Sequence, residues 1–448
     1  MFRKLLVANR GEIARRIIRA CRELGIATVA VHSDVDAGAP HVRDADEAVG
    51  IGPAPARQSY LSIEAVVGAA LHVGADAVHP GYGFLSENWR FAEACRHAGL
   101  IFVGPSVDAI RSMGDKTEAR RRMAAAGVPV LPGSDGAVSD GETAARIAAQ
   151  VGFPVLLKAA GGGGGIGMAR VSAPADLAGA LAAVQRRAEA AFGNPAVYIE
   201  RYAERARHVE VQIFGDGEGR VVHLHERECS IQRRHQKLVE ESPAPGLPAS
   251  VKERLTRAAV DGARAIEYVN AGTMEFLVED SGALWFLEMN TRLQVEHPVT
   301  EEVTGLDLVT AQLCVAAGAP LPWGQAEIAQ LGAALECRIY AEDPARNFLP
   351  SPGTITALAL PQGEGIRVES GIVAGSEVSV HYDPLLLKLV TRGTTRDEAV
   401  ARMAHALDNC VIEGVRTTVP FLRRVIAHPQ FRRGTVHTQM VEQGAFNA

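Results

Sequence analysis

The sequence predicts an α/β protein that becomes α+β along its length: an N-terminal doubly wound parallel sheet, a strand-rich middle, and a C-terminal part of mixed strands. Three patterns predict it. Strand-length apolar runs alternate with stretches of helical spacing from residue 4 to residue 103, the signature of parallel strands joined by helical crossovers. Residues 288–296 alternate polar and apolar, and they follow two apolar runs, 272–278 and 284–287, joined by a glycine-containing turn, which reads as a β-hairpin. Beyond residue 332, short strand-like runs lie between Gly/Pro turns, interrupted by one helical stretch.

Taken in order, residues 4–8 form a first apolar strand, 12–24 a helix and 27–32 a second strand. Helical spacing returns at 64–71, a strand at 75–79, a helix at 91–97 and a strand at 100–103. Ligand loops of doubly wound sheets sit at the carboxyl ends of strands. Two glycine-containing segments fall there: Asn9-Arg10-Gly11-Glu12, and His79-Pro80-Gly81-Tyr82-Gly83-Phe84. Either could be only a turn. A small segment, about 131–202, holds a strand at 155–158, a glycine run, a helix at 175–191 and a strand at 196–200. The strand-rich stretch runs from residue 208 to about 331, and the last part carries a helix near 396–407. There is no internal repeat and no low-complexity linker.

At 448 residues the chain is long enough for two to four domains, with 47% hydrophobic and 22% charged residues, ordinary for a globular protein. A net charge of −6 and the lack of any basic, aromatic-interleaved patch argue against nucleic acid. No apolar run approaches a membrane span. The start, Met1-Phe2-Arg3-Lys4-Leu5-Leu6-Val7-Ala8, is too short in its apolar stretch for a signal peptide. Six scattered cysteines without a CxxC pair fit a reduced, cytoplasmic setting. Cys229 lies in a polar cluster and reads as a structural thiol in preference to a reactive one. Of 46 basic residues only Lys4, Lys116, Lys158, Lys237, Lys252 and Lys388 are lysines. A lysine is therefore enriched for sites that need a compact ammonium charge. Lys116, Lys158 and Lys237 fall within motifs, whereas Lys4 and Lys252 read as ordinary surface residues.

Three stretches carry chemistry. In the hairpin, positions 288 to 296 put Glu288, Asn290, Arg292, Gln294 and Glu296 on one face, and Met289, Thr291, Leu293 and Val295 on the other. A turn centred on Ser281-Gly282 sets Glu275 opposite Glu288. Like charges opposed across strands are destabilising unless something holds them. A hard divalent cation is the natural holder, although two solvated glutamates on an exposed hairpin would look similar. Second, Gly161 to Gly165 follow a strand bearing Lys158. Without a Gly-Lys-Ser/Thr sequence this is no Walker A loop, and no helix opens at once as in a dinucleotide fingerprint. A flap whose backbone N–H groups approach a triphosphate fits better than a flexible linker. Third, residues 226–237 are dense in polar groups, including Gln232, His235 and Lys237. They could bind a small oxyanion or form a solvated helix face.

Together, Asn9-Arg10-Gly11-Glu12-Ile13-Ala14, residues 79–88, the glycine run and residues 288–301 closely resemble biotin carboxylase, the ATP-grasp subunit or domain of biotin-dependent carboxylases. The resemblance runs from about residue 2 to the late 420s. It implies an N-terminal domain over 1–115, an ATP-grasp domain over 116–331 with a lid at about 131–202, and a C-terminal domain over 332–448. It implies formation of N1-carboxybiotin from ATP, bicarbonate and biotin via carboxyphosphate, as the first half-reaction of an acetyl-CoA, propionyl-CoA or other acyl-CoA carboxylase. It implies that Lys116, Lys158, Gly163, Gly164, Gly165, Glu200, the backbone at Tyr202, His208, Gln232 and His235 bind the nucleotide. Glu275 and Glu288, with Asn290, would bind Mg2+ or Mn2+, two ions in all. Lys237, Arg292, Gln294 and Val295 would hold bicarbonate, with Glu296 the general base upon it. Arg338 would steady the biotin enolate, with Tyr82 and Gly83 lining the biotin site. The family further suggests a homodimer.

Two departures from the family stand out. Ile166 occupies a flap position where the family carries a basic residue. No methionine is followed by lysine, so the Met-Lys-Met biotinylation motif is absent. Biotin is thus expected on a separate carrier polypeptide, with the carboxyltransferase on another. Two competing readings are a different ATP-grasp ligase, which would lack Tyr82-Gly83 and Arg338 in these contexts, and a silent nucleotide-binding subunit, which would not need every catalytic side chain.

Overall fold

The computed structural model describes residues 1–138, 140–160 and 167–447. Its N-terminal sheet is parallel, with strands in the order Glu47–Gly50, Ala27–His32, Lys4–Val7, Ala77–His79 and Ile101–Phe102. Strand order reverses between Lys4–Val7 and Ala77–His79, so the loops after these strands meet at the topological switch point. Asn9 Nδ2 donates to the carbonyls of Pro80 and Tyr82, both at 2.7 Å. Gly81 has φ +61°, and a Cβ there would come within 3.0 Å of Asn9 Nδ2, so glycine is required on both counts. The helix Gly11–Glu23 buries Ile13, Ala14, Ile17, Ile18 and Cys21, the stripe its spacing predicts.

The middle of the molecule is one eight-stranded antiparallel sheet. Its order is Leu284–Asn290, Asn270–Val278, Arg207–Gly215, Val221–Arg233, Gln236–Ser242, Ala333–Tyr340, Leu385–Gly393 and Ile366–Ser370. The sheet crosses the 331/332 position without a break, because Gln236–Ser242 pairs with Ala333–Tyr340. The helix Ala249–Ala265 packs Leu255, Ala259 and Ala263 against Val209, Val211, Met274 and Phe276. That covers one face and leaves the opposite residues of the same strands to the cavity described below. Further along the sheet, Arg396–Asp408 and Val419–Ala427 cover Leu335, Cys337, Leu387 and Leu389.

Residues 131–202 form a separate small layer. Strands Met168–Val171, Val155–Ala159 and Val197–Arg201 are antiparallel, backed by helices Gly141–Val151 and Leu177–Phe192 around Ala148, Leu157, Val184 and Ile199. Among the described residues no helix is long and apolar enough to cross a membrane. The glycine run, with Gly163, Gly164, Gly165 and Ile166, lies outside the described residues.

The largest departure from the sequence reading is the polar stretch 226–237. Most of it belongs to the strand Val221–Arg233, and the chain returns as Gln236–Ser242. The connecting residues Arg234 and His235 both have positive φ, 48° and 66°, as a two-residue hairpin turn with matching twist requires. Neither is glycine or asparagine, so sequence rules give no warning of the turn. A solvated helix face is thereby replaced by a hairpin whose Arg227, Glu228, Cys229 and Ser230 are buried.

Candidate functional site

The 270–290 hairpin sets up the site through its register. Glu275 pairs with Glu288 and Thr273 with Asn290, the pairing expected from the sequence, although the turn differs: Val278 pairs with Leu284, which centres the turn on Ser281 and would by itself set Glu275 opposite Leu287. Beyond Glu275 the register shifts, because Phe276 pairs with Phe286 and Leu287 is the extra residue of a bulge. Leu284 and Phe286 face the core before the bulge, and Met289 after it. The bulge therefore turns Leu287 and Glu288 together toward the cavity, beside Leu277 and Glu275 from the partner strand. One local irregularity thus gives a carboxylate pair an apolar wall.

The cavity has a volume of about 680 Å3. Of the residues predicted from sequence, Lys116, Lys158, Glu200, Tyr202, His208, Gln232, His235, Lys237, Glu275, Glu288, Asn290, Arg292, Gln294, Val295 and Arg338 line it. Glu296 is fully buried just beneath, bonded to two of them. Tyr82 and Gly83 are not on its wall. They sit on the neighbouring loop, where the Lys388 ammonium lies 5.8 Å from the Tyr82 ring centre and also donates to the Val295 carbonyl at 2.7 Å.

At one end, Lys158 is paired with Glu200, and Arg120 lies 3.5 Å from the same carboxylate. Leu131, Leu156, Met168, Leu277 and Leu287 supply the apolar surface a flat heterocycle needs. Lys116 stands 3.6 Å from Glu288. At the centre, the Lys237 ammonium contacts Glu210 at 2.5 Å, Glu275 at 2.9 Å and Glu296 at 2.6 Å. Glu275 also accepts from Asn290 Nδ2 at 2.8 Å and Gln294 Nε2 at 3.0 Å, while His208 lies 3.0 Å from its other oxygen. At the far end, Arg338 reaches Glu296 at 2.8 Å and Glu240 at 2.6 Å. Glu296 directly precedes the helix His297–Thr304, where helix-terminal N–H groups favour an anion.

Charge compensation fixes the ionisation states here. Burial opposes ionisation of Glu275, yet Lys237 and then His208 hold it well below the usual carboxylate range. Burial likewise opposes ionisation of Glu296, which Lys237, Arg338 and Arg227 hold low. Burial disfavours the Lys237 ammonium, but Glu210, Glu275 and Glu296 raise it well above its ordinary value. Cys229 is buried beside this cluster and its thiol is pushed up by burial and Glu210, in keeping with a structural thiol.

Several residues were missed by the sequence reading. Glu210 joins Lys237 to the fully buried Arg227 at 2.5 Å. Its signal was available, since His208, Glu210 and Gln212 alternate with Val209, Val211 and Ile213. Glu87, inside a recognised motif, accepts from Arg292 Nε at 2.8 Å and from the Thr291 N–H at 3.1 Å, fixing the Arg292 fork. Thr438, Gln439 and Glu442 enter the wall from the C-terminal segment, and no local pattern marks them.

Comparison with known proteins accords with this arrangement. Residues 1–110 match the family "Biotin carboxylase, N-terminal domain", and 336–443 match "Biotin carboxylase C-terminal domain". Residues 115–323 match "Carbamoyl-phosphate synthase L chain, ATP binding domain". The chain is 52% identical over 441 residues to the biotin carboxylase of Halalkalibacterium halodurans, covering 98% of this chain and 97% of that one. It is 51% identical over 444 residues to a pyruvate carboxylase subunit of Methanothermobacter thermautotrophicus, covering 99% and 90%. The biotin carboxylase domain dimer of Hydrogenobacter thermophilus 2-oxoglutarate carboxylase, solved with MgADP, ADP and bicarbonate, superposes with a TM-score of 0.96 at 46% identity, covering 100% and 99%. With two domain families matched at its ends, full-length relatives at about half identity and an ATP-grasp architecture between, this chain belongs to the biotin carboxylase family of ligases.

Proposed function

We propose that this cavity carboxylates biotin with bicarbonate and ATP. The observation that carries the reading is Lys237: one buried ammonium bridges Glu275, at the nucleotide end, to Glu296, at the Arg338 end. A reaction that joins phosphoryl transfer to carboxyl transfer needs such a continuous polar path. The Hydrogenobacter structure, with MgADP and bicarbonate, supports the same substrates here.

Lys116, Lys158, Glu200, Tyr202, His208, Gln232 and His235, with Gly163, Gly164 and Gly165, hold the nucleotide in this proposal. Glu275, Glu288 and Asn290 offer oxygen donors suited to Mg2+ or Mn2+, and Glu288 fits best, its carboxylate having, among the described residues, Lys116 alone as an ion-pair partner at 3.6 Å. The ions when bound neutralise developing charge on the transferring phosphoryl group. Arg292, Gln294, the Val295 backbone and Lys237 hold bicarbonate. As bicarbonate draws hydrogen bonds from Lys237, Glu296 loses part of its compensation and becomes a stronger base, able to take the bicarbonate proton. The deprotonated bicarbonate oxygen attacks the γ-phosphorus as ADP leaves; the carboxyphosphate so formed splits into carbon dioxide and phosphate, the phosphate takes the ureido N–H proton of biotin, and Arg338 steadies the negative ureido oxygen as the nitrogen captures the carbon dioxide. Tyr82 and Gly83 would guide biotin toward Arg338.

Biotin on a separate carrier, a separate carboxyltransferase and a second copy of this chain complete the proposed assembly. Acetyl- or propionyl-CoA is the proposed acceptor. Because the 51% identical methanogen relative belongs to a pyruvate carboxylase, that acceptor has to be tested with the transferase partner. The test of the central claim is phosphate release from MgATP with and without bicarbonate and biotin, together with transfer of isotope-labelled bicarbonate into acid-labile carboxybiotin. Bicarbonate-dependent, biotin-stimulated turnover is expected. Bicarbonate-independent turnover would replace the proposal with a different ligase activity.

A further inference from the structure

Beneath Glu296 lies a pair of acids that the reaction scheme above does not use. Glu240 and Glu336 face each other on adjacent strands, and both are fully buried. The helix His297–Thr304 closes the space above them, seating Val299 and Val303 on Ala334 and Val390. Two ionised carboxylates opposed in a dry site repel and forfeit their hydration. Among the described residues, three of their four oxygens, Glu240 Oε2 and both of Glu336, have no hydrogen-bond partner.

The fourth oxygen, Glu240 Oε1, receives two nitrogens of Arg338, at 2.6 and 2.5 Å. The same guanidinium reaches Glu296 at 2.8 Å. The charged groups facing the pair are Arg338 on the strand of Glu336, Lys237 on the strand of Glu240, Lys388 on the next strand, and Glu296 before the helix. Lys388 is occupied by the Val295 carbonyl at 2.7 Å and Glu12 at 3.2 Å, and Lys237 by its own three carboxylates. Only Arg338 remains for the pair, and it bonds one member.

We propose that Glu240 is a positioning residue for Arg338, and that Glu240 and Glu336 share one proton so that Glu240 can stay ionised against the guanidinium. Burial pushes Glu240 up to about 7 against the pull of Arg338, and pushes Glu336 well above the carboxylate range against Lys388. The proton therefore resides on Glu336 as Glu240 ionises. An ionised Glu240 holds Nε and one Nη of Arg338, so that the guanidinium gives Glu296 a single contact and does not pair with it fully. Losing that anchor would bind the enolate stabiliser to the general base. The inference rests on the proposed role of Arg338 toward biotin.

The experiment compares Glu240→Gln, Glu240→Asp and Glu336→Gln in the full chain. Two rates are read, bicarbonate-dependent ATP hydrolysis without biotin and its biotin-stimulated increment, together with Tm across pH. Glu240→Gln should lower the biotin-stimulated increment about tenfold more than the hydrolysis without biotin, with Glu240→Asp recovering part of the difference. Glu336→Gln, a permanently neutral mimic of the protonated partner, should keep both rates within about threefold. A carboxyl raised by folding stabilises fully below its ordinary pKa and loses that contribution as pH rises. The Tm of Glu336→Gln relative to wild type should therefore climb between about pH 5 and about pH 8. Equal loss of both rates in Glu240→Gln, damage from Glu336→Gln as large as from Glu240→Gln, or a pH-independent Tm difference would each overturn the proposal. Wild-type protein lacking bicarbonate-dependent hydrolysis would instead overturn the proposed function, and the Tm series would still decide the shared proton.

Discussion

Two acid clusters lie side by side under the cavity, and they ionise in opposite directions. Around Lys237, the carboxylates of Glu210, Glu275 and Glu296 share an ammonium and are further bonded by Arg227, His208 and Arg338. Glu275 and Glu296 are held well below the usual range despite complete burial. In the neighbouring floor, Glu12 and Glu240 are pushed up to about 7 and Glu336 is pushed well above the ordinary carboxylate range, with burial the leading cause in each. Burial is common to both clusters, so it does not decide the outcome. What decides is how many separate cations reach each carboxylate: Lys237 and His208 reach Glu275, Lys237 and Arg338 reach Glu296, whereas among the described residues Glu240 has Arg338 alone and Glu12 has Lys388 alone. The reacting side holds fixed charges in place, while the floor keeps protons.

The sharpest way to break this contrast is to remove the shared ammonium. Lys237→Met leaves three buried carboxylates without their common cation, which should lower stability by about 3–5 kcal/mol. Bicarbonate-dependent ATP hydrolysis should fall at least 10²–10³-fold, roughly the loss seen for a charge-stabilising donor. Chemical denaturation and phosphate release measure the two. Adding Glu210→Gln should restore part of the stability, since one uncompensated charge is gone. A Lys237→Met protein as stable as wild type would mean the cluster holds protons in the way the floor does.

A smaller effect is expected at Glu288, which belongs to the site but not to the compensated cluster. Its side chain is 38% exposed and, among the described residues, pairs with Lys116 alone, at 3.6 Å. Glu288→Gln should change stability by no more than about 0.5 kcal/mol. It should raise the Mg2+ concentration for half-maximal rate about 10–100-fold, of the order that weakened metal ligation produces. A large stability loss without a metal effect would make Glu288 a structural partner of Lys116.

How far the sequence could be read also divides between two hairpins. The 270–290 hairpin was legible as a hairpin from its glycine-containing turn, but Glu275 meets Glu288 because a bulge at Leu287 offsets a turn centred on Ser281 in place of the expected Ser281-Gly282. The bulge at Leu287 was not legible, because Leu284, Trp285, Phe286 and Leu287 are all apolar and give no period. The 221–242 hairpin was hidden for two reasons. Its turn uses Arg234 and His235 at positive φ, and its buried face is charged, as Arg227 and Glu228 illustrate. Hydrophobic patterning detects cores built from carbon, and this part of the core is built from ion pairs. Lys388 escaped a role for a related reason: its strand, Leu385-Leu386-Leu387-Lys388-Leu389-Val390, reads as apolar with one interruption. Its partners Glu12 and Val295 lie far away in sequence.

The smallest predicted effect on turnover concerns Glu12, which carries the Asn9-Arg10-Gly11-Glu12 motif into the floor. Glu12 is buried, 3.2 Å from Lys388, and its carboxyl is raised to about 7 by burial against the pull of Lys388. A raised carboxyl contributes stability that is complete below about pH 4.5 and is lost as pH climbs through about 7. Glutamine has no such loss. Glu12→Gln should therefore match or trail wild type in Tm near pH 5 and gain on it by a few °C toward pH 8, about 1 °C for each kcal/mol in a chain this long. Its amide oxygen can still accept from Lys388, so the Val295 carbonyl should stay held and turnover should remain within about threefold. A flat Tm difference, or a fall in turnover approaching that of Lys237→Met, would mean Glu12 is ionised as a full partner of Lys388. The boundary between the charged cluster and the protonated floor would then run one strand further from the cavity, with Lys388 on the charged side.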